Sequence, residues 1–207
     1  MVNCFQRGDT RAETRREQIL DAAMDCFSTD GFHGASIAKI SKAAQMSVGH
    51  IYHYFENKEA IIAAIVDRDL QRVLEIATDL INAENPLETM IDTIDRSVAV
   101  HLHCEQEALN LEILAEAARN PKIAAMVRDA DEKARASFMC ATRAVLEKNR
   151  VHKSDIEIAT IVDLMGAIFN GLTIRSISNP HIDRDHMVRL VNGVIRYMVE
   201  APSDSTN

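Results

Sequence analysis

The chain of 207 residues has no tryptophan, only 4 prolines and 7 glycines. It also has no apolar run that approaches the roughly 18 residues of a membrane span. With so few helix-breaking residues, a sequence rich in Ala, Ile, Leu, Glu and Arg favours helices over sheets. The N-terminal segment MVNCFQRGDTR lacks the apolar core of a signal peptide. These absences predict an all-α protein in the cytoplasm, with no membrane partner.

Cysteine is also scarce, and the 4 cysteines, Cys4, Cys26, Cys104 and Cys140, form no Cys-x-x-Cys pair. This spacing predicts reduced thiols and no zinc ribbon, and we expect no bound cofactor. The net charge of −8 argues at first against a nucleic-acid partner, but residues 1–58 hold 7 basic and 7 acidic side chains. The acidic excess therefore lies in residues 59–207. An N-terminal DNA module would bind phosphates through a few placed cations rather than a broad positive field.

Residues 36–58, SIAKISKAAQMSVGHIYHYFENK, have the pattern of two short helices joined by a tight turn. Ile40 and Ala44 lie one turn apart on the first helix and are expected to face inward. Ile51 and Phe55 are expected to do the same on the second helix. The outward face of the second helix is then small, polar and aromatic. Such a face suits a recognition helix whose N-terminus enters the major groove of DNA.

The run VGHIYHYFENKEAI and the preceding helix RREQILDAAMDCFSTDGF resemble the signature of the TetR (tetracycline-repressor) family of bacterial regulators. The resemblance covers roughly residues 14–62 and implies a three-helix DNA-binding domain followed by a helical ligand and dimer domain. In the family, the residues matching this run contact mostly phosphates, and those at its start lie over base edges. Serine hydroxyls at the helix starts can bond phosphates while capping. The predicted DNA-contacting residues are Ser36, Lys39, Ser47, Val48, Gly49, His50, Tyr52, His53, Tyr54 and Lys58.

The domain organisation follows from the same patterns. We expect a disordered leader over residues 1–13, a helix-turn-helix domain over 14–58, a helical domain over 59–200 and a tail over 201–207. The fold class is all-α with about nine helices. The fourth helix is predicted to run without a break to about residue 83. Later helices are predicted at about 86–104, 107–119, 122–149, 154–177 and 184–199.

Local signals place the helix ends of the N-terminal domain. The segment from Thr14 to Glu17 has the pattern of a capping box at the start of the first helix, and Gly31 is placed to end it. Gln45 occupies the turn where the family often has glycine, and a non-glycine residue in a left-handed conformation costs roughly 1 kcal/mol. The predicted N-caps of the second, third and fourth helices are Ser36, Ser47 and Asn57.

The last two long helices have the features of a partner surface. The eighth predicted helix has small residues at close helical spacing, and the ninth has an apolar stripe. Together they would form a four-helix interface across a two-fold axis. Alternatively, both stripes pack inside one subunit. The predicted dimer-interface residues are Ile156, Asp163, Ala167, Asn170, Leu190, Val194 and Met198.

Polar groups on otherwise apolar helices mark a candidate ligand pocket, and its methionines suit a lipophilic small molecule. A Glu112 or Asp163 buried without a cation would indicate a positively charged ligand. Alternatively, His101, Cys104 and Glu105 have the i, i+3, i+4 spacing of a transition-metal site. The predicted ligand-binding residues are His101, Cys104, Glu112, Met139, Arg143, Met165 and Phe169.

These features and the resemblance predict a homodimeric repressor that a small effector releases from a palindromic double-stranded DNA operator. The continuous fourth helix would change the spacing of two recognition helices, whose half-sites lie about 34 Å apart. Two alternatives are a C-terminal domain that senses metal, redox state or a protein partner, and an activator. The sequence has no Gly-x-Ser-x-Gly, Gly-rich phosphate loop or His-Glu-x-x-His motif, so we expect no enzyme. The dimer is expected to be cytoplasmic and nucleoid-associated.

Overall fold

The computed structural model describes residues 6–102, 104–179 and 181–201, without the side chains of residues 6–10 and 104–107. Over these residues the chain forms nine helices and no strand, which confirms the all-α prediction. From residue 86 onward, the ends of the helices agree with those expected from the sequence to within about three residues. The helices are α1 (Gln6–Gly34), α2 (Ile37–Ala43), α3 (Val48–Tyr54), α4 (Lys58–Asn82), α5 (Pro86–His101), α6 (Cys104–Ala117), α7 (Pro121–Lys148), α8 (Asp155–Ser178) and α9 (Arg184–Glu200).

The helices form two compact units. Unit 1 comprises the chain up to Asp69 together with Ala108–Arg128, and unit 2 comprises Leu70–Glu107 and the chain from Asp129 onward. The division falls inside α4 rather than after residue 58, the boundary expected from the sequence. It differs because the first three turns of α4, most of α6 and the start of α7 complete the core around the helix-turn-helix.

The core of unit 1 consists of fully buried aliphatic and aromatic side chains from all of its helices. Complete burial of one such side chain contributes roughly 1.5–3 kcal/mol. The buried apolar side chains of α1 face α2, α3 and α4 from one side. Tertiary packing therefore stabilises α2 and α3, which are too short to be stable helices by themselves. The central residues of this core are Ile19, Leu20, Phe27, Ile40, Ile51, Ile61, Ile62, Ile65 and Ile123.

Unit 2 is built mainly on the packing of α5 against α9 and α8. Each of α5 and α9 presents one apolar residue per turn at i, i+4 and i+8, which gives a straight seam along both helices. The seam residues are Met90, Ile94 and Val98 on α5, and Val191, Ile195 and Val199 on α9. α8 adds Ile158, Ile161, Met165 and Leu172 to the same core.

The start of α1 differs from the expectation. The helix begins at Gln6, so residues 6–13 of the predicted leader are helical, and residues 1–5 lie outside the described part of the chain. The segment from Thr14 to Glu17 lies inside the helix instead of capping it. The residues before Thr14 include no proline, and Arg11, Ala12 and Glu13 are good helix formers, so nothing local stops the helix there. Its end follows the prediction: Gly31 has a φ of 72° and interrupts the helix.

One helix of the described chain, α8, is long and apolar enough by length and composition to cross a membrane. This corrects the expectation that no segment approaches such a span. Only 33% of its most apolar window is buried within the chain. The exposed apolar side chains of α8 include Ile156, Leu164, Ile174 and Ile177.

Candidate nucleic-acid interface

Side-chain caps define the helix-turn-helix. The hydroxyl of Ser36 accepts a hydrogen bond from the backbone N–H of Lys39 at 3.2 Å, and that of Ser47 accepts from His50 at 3.2 Å. Asn57 Oδ1 accepts from the N–H of Ala60 at 2.8 Å at the start of α4. The three predicted N-caps are therefore confirmed. Each satisfies one of the backbone donors that a helix start leaves without a partner.

The turn between α2 and α3 has a left-handed residue, as predicted. Gln45 has a φ of 54°. The N–H of Met46 donates to Ser41 O at 2.9 Å, and the N–H of Gln45 donates to Lys42 O at 3.2 Å, which is the Schellman pattern at a helix C-terminus. From α1, Gln18 Nε2 donates to Ala44 O at 2.8 Å. The turn is thus fixed both by its own backbone and by α1.

We expect Gln45→Gly to raise the free energy of unfolding by about 1 kcal/mol, because glycine adopts the left-handed conformation without steric strain. Urea unfolding of the full-length protein measures this change. Gln45→Ala keeps a Cβ and serves as the control, with no gain in stability. A glycine variant less stable than the wild type would contradict the strain at this position.

Four residues predicted to face inward are buried. Ile40 and Ile51 are 0% exposed, Ala44 is 1% and Phe55 is 5%. Ser41 is also buried, and its hydroxyl donates to Ala38 O at 3.0 Å, so its polar group has a partner. Packing against the core therefore explains the identity of the residues on the inward side of α2 and α3. It does not explain the identity of the exposed residues on the outward side.

The outward side of α3 carries an aromatic cluster formed by His50, His53 and Tyr54. The rings of His50 and Tyr54 lie 5.4 Å apart between centroids, and those of His53 and Tyr54 lie 5.2 Å apart, both edge to face. Tyr54 is half-buried and supports the two exposed imidazoles. Tyr52 is 54% exposed and Val48 is 40% exposed. This face offers hydrogen-bond donors and acceptors together with apolar surface.

Gly49 lies on the same outward face. A Cβ built on Gly49 would have no heavy atom within 4 Å, and its backbone is ordinary helix. Neither packing nor conformation within the chain requires glycine here. A glycine in a helix interior costs about 1 kcal/mol relative to alanine. The residue is therefore unexplained by the fold, and it leaves the backbone of α3 open to a close approach from outside.

Two of the predicted phosphate-binding cations also have partners within the chain. Lys39 Nζ lies 2.9 Å from Asp30 Oδ1. Lys58 Nζ donates to Phe32 O at 2.6 Å and lies 4.5 Å from the centre of the Phe32 ring. An ammonium group has three donors, so each lysine retains donors beyond its recorded partner.

A surface groove brings two further cations to α3. Arg11 and Arg15 of α1 line this groove together with Ser47, His50 and Tyr54. Arg11 and Arg15 are not among the DNA-contacting residues expected from the sequence. Their i, i+4 spacing is the signal that places them on one side of a helix.

Two family comparisons match most of the chain. Residues 19–65 match bacterial regulatory proteins of the tetR family, and residues 104–199 match the C-terminal part of BetI-type transcriptional repressors. The chain belongs to the TetR family. The resemblance seen in the sequence is thereby confirmed, and the chain is placed among regulatory proteins rather than enzymes.

Individual relatives agree with this assignment. The HTH-type transcriptional regulator UidR of Escherichia coli K12 is 39% identical over 120 residues, which are 58% of this chain and 60% of UidR. The match thus covers less than two thirds of that relative. Salmonella enterica GusR superposes with a TM-score of 0.70 at 28% identity, over 88% of this chain and 95% of GusR. FadR from Bacillus subtilis, in complex with stearoyl-CoA, superposes with a TM-score of 0.71 at 18% identity, over 89% and 97% of the two chains. At that identity the FadR likeness shows the fold alone.

In unit 2 of this TetR-family chain, four of the predicted ligand-binding residues lie close together. Met165 belongs to the buried cluster, and Met139 and Phe169 pack against it. The His101 ring lies 5.2 Å from the Phe169 ring between centroids, and His101 Nδ1 lies 2.7 Å from Ser97 O. Because a carbonyl oxygen only accepts, Nδ1 carries the proton and Nε2 is the acceptor of the neutral ring. Ligand binding by these residues stays a prediction.

The other three predicted ligand-binding residues are placed differently. Glu112 belongs to unit 1, where its Oε1 accepts from the N–H of Phe32 at 2.7 Å. Arg143 Nη2 donates to Asp155 Oδ1 at 2.7 Å. The side chain of Cys104 lies outside the described residues, as does that of Glu105, so the metal hypothesis is not addressed there. Among the side chains that are described, no three His, Cys, Asp or Glu residues are grouped to hold a metal ion.

Asp163 is not buried without a cation, which was the condition under which it would indicate a positively charged ligand. Its carboxylate is exposed and accepts from Arg135 Nε at 2.6 Å and Nη2 at 3.0 Å. These hydrogen bonds lower the pKa of the Asp163 carboxyl below its ordinary value. Asp163 therefore gives no support to a positively charged ligand, because the residue faces outward on α8 and has a cation beside it.

Most of the predicted dimer-interface residues lie on an exposed side of α8 or α9. Ile156 is 79% exposed, Leu190 is 55% and Val194 is 47%. Asp163, Ala167 and Asn170 are also exposed. Met198 differs, since it is half-buried against the core of unit 2. For Met198 the structure favours the alternative in which part of the stripe packs inside one subunit.

Proposed function

We propose that the protein is a homodimeric TetR-family repressor that binds palindromic operator DNA through the exposed face of α3. The observation that carries this proposal is the division of α3 into two sides. Its inner residues are buried, whereas Val48, Gly49, His50, Tyr52 and His53 are exposed, and a Cβ at Gly49 would meet no atom of the chain. A helix with a bare backbone and polar edges suits close approach to base edges in the major groove.

Phosphate contacts would position this helix. Tyr52, Lys39 and the hydroxyls of Ser36 and Ser47 are exposed around it, and Arg11 lines the groove at its start. Such contacts set the register of the protein on DNA, whereas His50 and Val48 reach base edges. Because each phosphate contact releases counterions, we expect affinity to fall with added salt, in proportion to the number of these contacts.

A second copy of the chain would cover the apolar sides of α8 and α9. Ile174 is 54% exposed, Leu190 is 55% and Tyr197 is 73%. Large apolar side chains this exposed on neighbouring long helices are typical of an interface between subunits. Burial against a second copy also accounts for the high hydropathy of α8 without a membrane. Two-fold symmetry then presents two recognition helices to two half-sites.

A small lipophilic molecule would release the repressor. Met139, Met165 and Phe169 belong to or pack against the apolar core of unit 2, and His101 lies beside Phe169, so a ligand that enters there would meet apolar side chains and one polar group. The C-terminal match to BetI-type repressors supports repression over activation. The FadR neighbour was solved with stearoyl-CoA, which supports an acyl-type ligand as a first probe. The dimer would act in the cytoplasm, on the nucleoid.

The test is selection of bound duplexes from a random pool by the purified protein, followed by affinity measurements. We expect one enriched palindrome. Tyr52→Phe should weaken binding to every duplex by about tenfold or less, because it removes one phosphate contact. His50→Ala should change which sequences are enriched, since a base-edge contact is worth about 1–3 kcal/mol of discrimination.

The control for these variants is a substitution outside the exposed face of α3. Thr78→Val removes the hydroxyl of an exposed threonine on α4, which donates to the Leu74 carbonyl, and should leave affinity for the duplex unchanged. Selection that enriches no duplex from the pool would refute DNA binding. Enrichment that is identical for the wild type and His50→Ala would remove His50 from base recognition.

A further inference from the structure

Residues 31–36, here called the loop, comprise the end of α1 after its kink at Gly31 and the link to α2, and two helices of unit 1 hold them at once. Lys58, in the first turn of α4, donates from Nζ to the carbonyl of Phe32 at 2.6 Å. Glu112, on α6, accepts from the backbone N–H of Phe32 through Oε1 at 2.7 Å. The two charged side chains therefore satisfy both backbone groups of one loop residue. Hydrogen bonds to ionised groups are roughly twice as strong as neutral ones, so this pair restrains the loop firmly.

Glu116, one turn after Glu112 on α6, holds the next loop residue. It is only 3% exposed, and its Oε2 lies 3.1 Å from His33 Nε2. Its Oε1 accepts from Asn120 Nδ2 at 3.3 Å, and Arg119 Nη2 lies 3.8 Å from Oε2. Oε2 has no hydrogen bond of good geometry, so the guanidinium of Arg119 is the permanent charge that compensates it. A buried carboxylate that loses such compensation is costly.

The loop backbone itself depends on the α6 carboxylate. Gly31 has φ of 72° and ψ of 167°, a conformation that is essentially restricted to glycine. A Cβ on Gly31 would lie 3.1 Å from Glu112 Oε1. The carboxylate therefore fills the space where any other residue would place its side chain. Downstream, the carbonyl of Gly31 accepts from the N–H of Ala35 at 3.0 Å, immediately before the N-cap Ser36 of α2.

These contacts join α6 to Phe32 and His33, and His33 lies three residues before Ser36, the N-cap of α2. We call Glu112, Glu116 and Lys58 the loop clamp. The clamp belongs entirely to unit 1, but α6 as a helix contributes residues 104–107 to unit 2. A displacement of α6 along or about its axis would move both carboxylates together, because they lie one turn apart on the same side.

We propose that Glu112 and Glu116 are positioning residues for DNA recognition. They fix the loop from which α2 starts, and a shift of α6 reaches α2 and α3 through them. This route is distinct from the spacing change through α4 that the sequence suggests. It rests on the proposed function, in which an effector supplies the shift. A coupling of this kind is a difference in free energy between two states of the loop, not a loss of folding.

The test uses the full-length protein in four forms besides the wild type: Glu112→Ala, Glu112→Gln, Glu116→Gln and the control Leu114→Ala. Leu114 lies on α6 between the two carboxylates and is 46% exposed on another side. Hydrogen exchange of residues 31–36, the thermal midpoint and the affinity for the duplex selected by the wild type are measured for each. Exchange reports on the loop without any DNA.

We expect Glu112→Ala to speed exchange over residues 31–36 at least about tenfold and to weaken duplex affinity by a similar factor, within the range usual for coupled sites. Both effects should appear at temperatures where the variant is fully folded. Glu112→Gln retains an acceptor oxygen and should recover part of each. Glu116→Gln should weaken affinity about fivefold or more, and Leu114→Ala should change neither quantity by more than about twofold.

Exchange and affinity within about twofold of the wild type in Glu112→Ala and Glu116→Gln would overturn the proposal. So would an affinity loss that only follows the fraction of unfolded protein. If Glu112→Ala does not fold, Glu116→Gln decides by the same criteria. A wild-type protein that selects no duplex refutes the proposed function instead, and the exchange measurement still decides whether α6 holds the loop.

Discussion

Gly49→Leu is expected to weaken affinity for the selected operator duplex at least about 100-fold, while the free energy of unfolding stays the same or rises by up to about 1 kcal/mol. The two effects have opposite signs because they have different causes. Within the chain a Cβ at position 49 meets no atom within 4 Å, and leucine favours a helix more than glycine does. On DNA it would occupy the space between the α3 backbone and the base edges. Fluorescence anisotropy and urea unfolding measure the two quantities on one protein preparation.

The control for Gly49→Leu is Ala43→Leu, an equivalent small-to-large change at the end of α2. Ala43 is exposed and borders a groove lined by Glu17, Asp21 and Asp25, whose negative charge is unfavourable to phosphates. Its affinity for the duplex should stay within about threefold of the wild type. Equal losses in both variants would mean that added bulk disturbs the domain generally. No loss with Gly49→Leu would remove α3 from the major groove.

Val194→Glu is expected to dissociate the dimer, raising its dissociation constant at least about 1,000-fold, and operator binding should be lost with it. By two-fold symmetry each dimer would bury two new carboxylates. Removing compensation from one buried charge costs about 3–5 kcal/mol. Neither monomer could meet both half-sites of a palindrome. Sedimentation velocity at several protein concentrations measures the association, and anisotropy with the duplex measures the binding.

Val100→Glu is a closely matched control, because Val100 on α5 is 45% exposed and Val194 on α9 is 47% exposed. Both variants add the same charge at a similarly exposed valine, but only Val194 lies on the predicted interface. Val100→Glu should sediment as the wild type and bind the duplex normally. A dimer that persists in Val194→Glu, or dissociates only in Val100→Glu, would place the interface elsewhere on unit 2.

Helix ends in the N-terminal domain were predictable because the signals are local. Ser36 and Ser47 each bond a backbone N–H three residues ahead, so the cap depends on one short segment of sequence. The left-handed Gln45 followed from the resemblance, since the family often has glycine at this position of the turn. The burial of Ile40 and Ile51 followed from helical spacing alone.

Other features could not be predicted because they depend on neighbours distant in sequence. The start of α1 at Gln6 was missed because a capping pattern at Thr14 competes with the helix propensity of the residues before it. Glu112 was assigned to a ligand pocket, but its partner is Phe32, 80 residues away in the chain. Asp163 was considered as a buried charge, and its partner Arg135 is on another helix. No spacing rule connects these pairs.

The sequence by itself determined the fold class, the family and the recognition helix, since caps, turn residues and apolar spacing all act within a few residues of each other. The tertiary structure decided which charged side chains are available to a ligand and which hold the protein together. That choice depends on contacts between α6 and the loop before α2, and between α7 and α8, segments whose proximity arises only when the apolar cores close. A carboxylate has the same chemistry on every helix, and its role is set by the donor that packing places beside it.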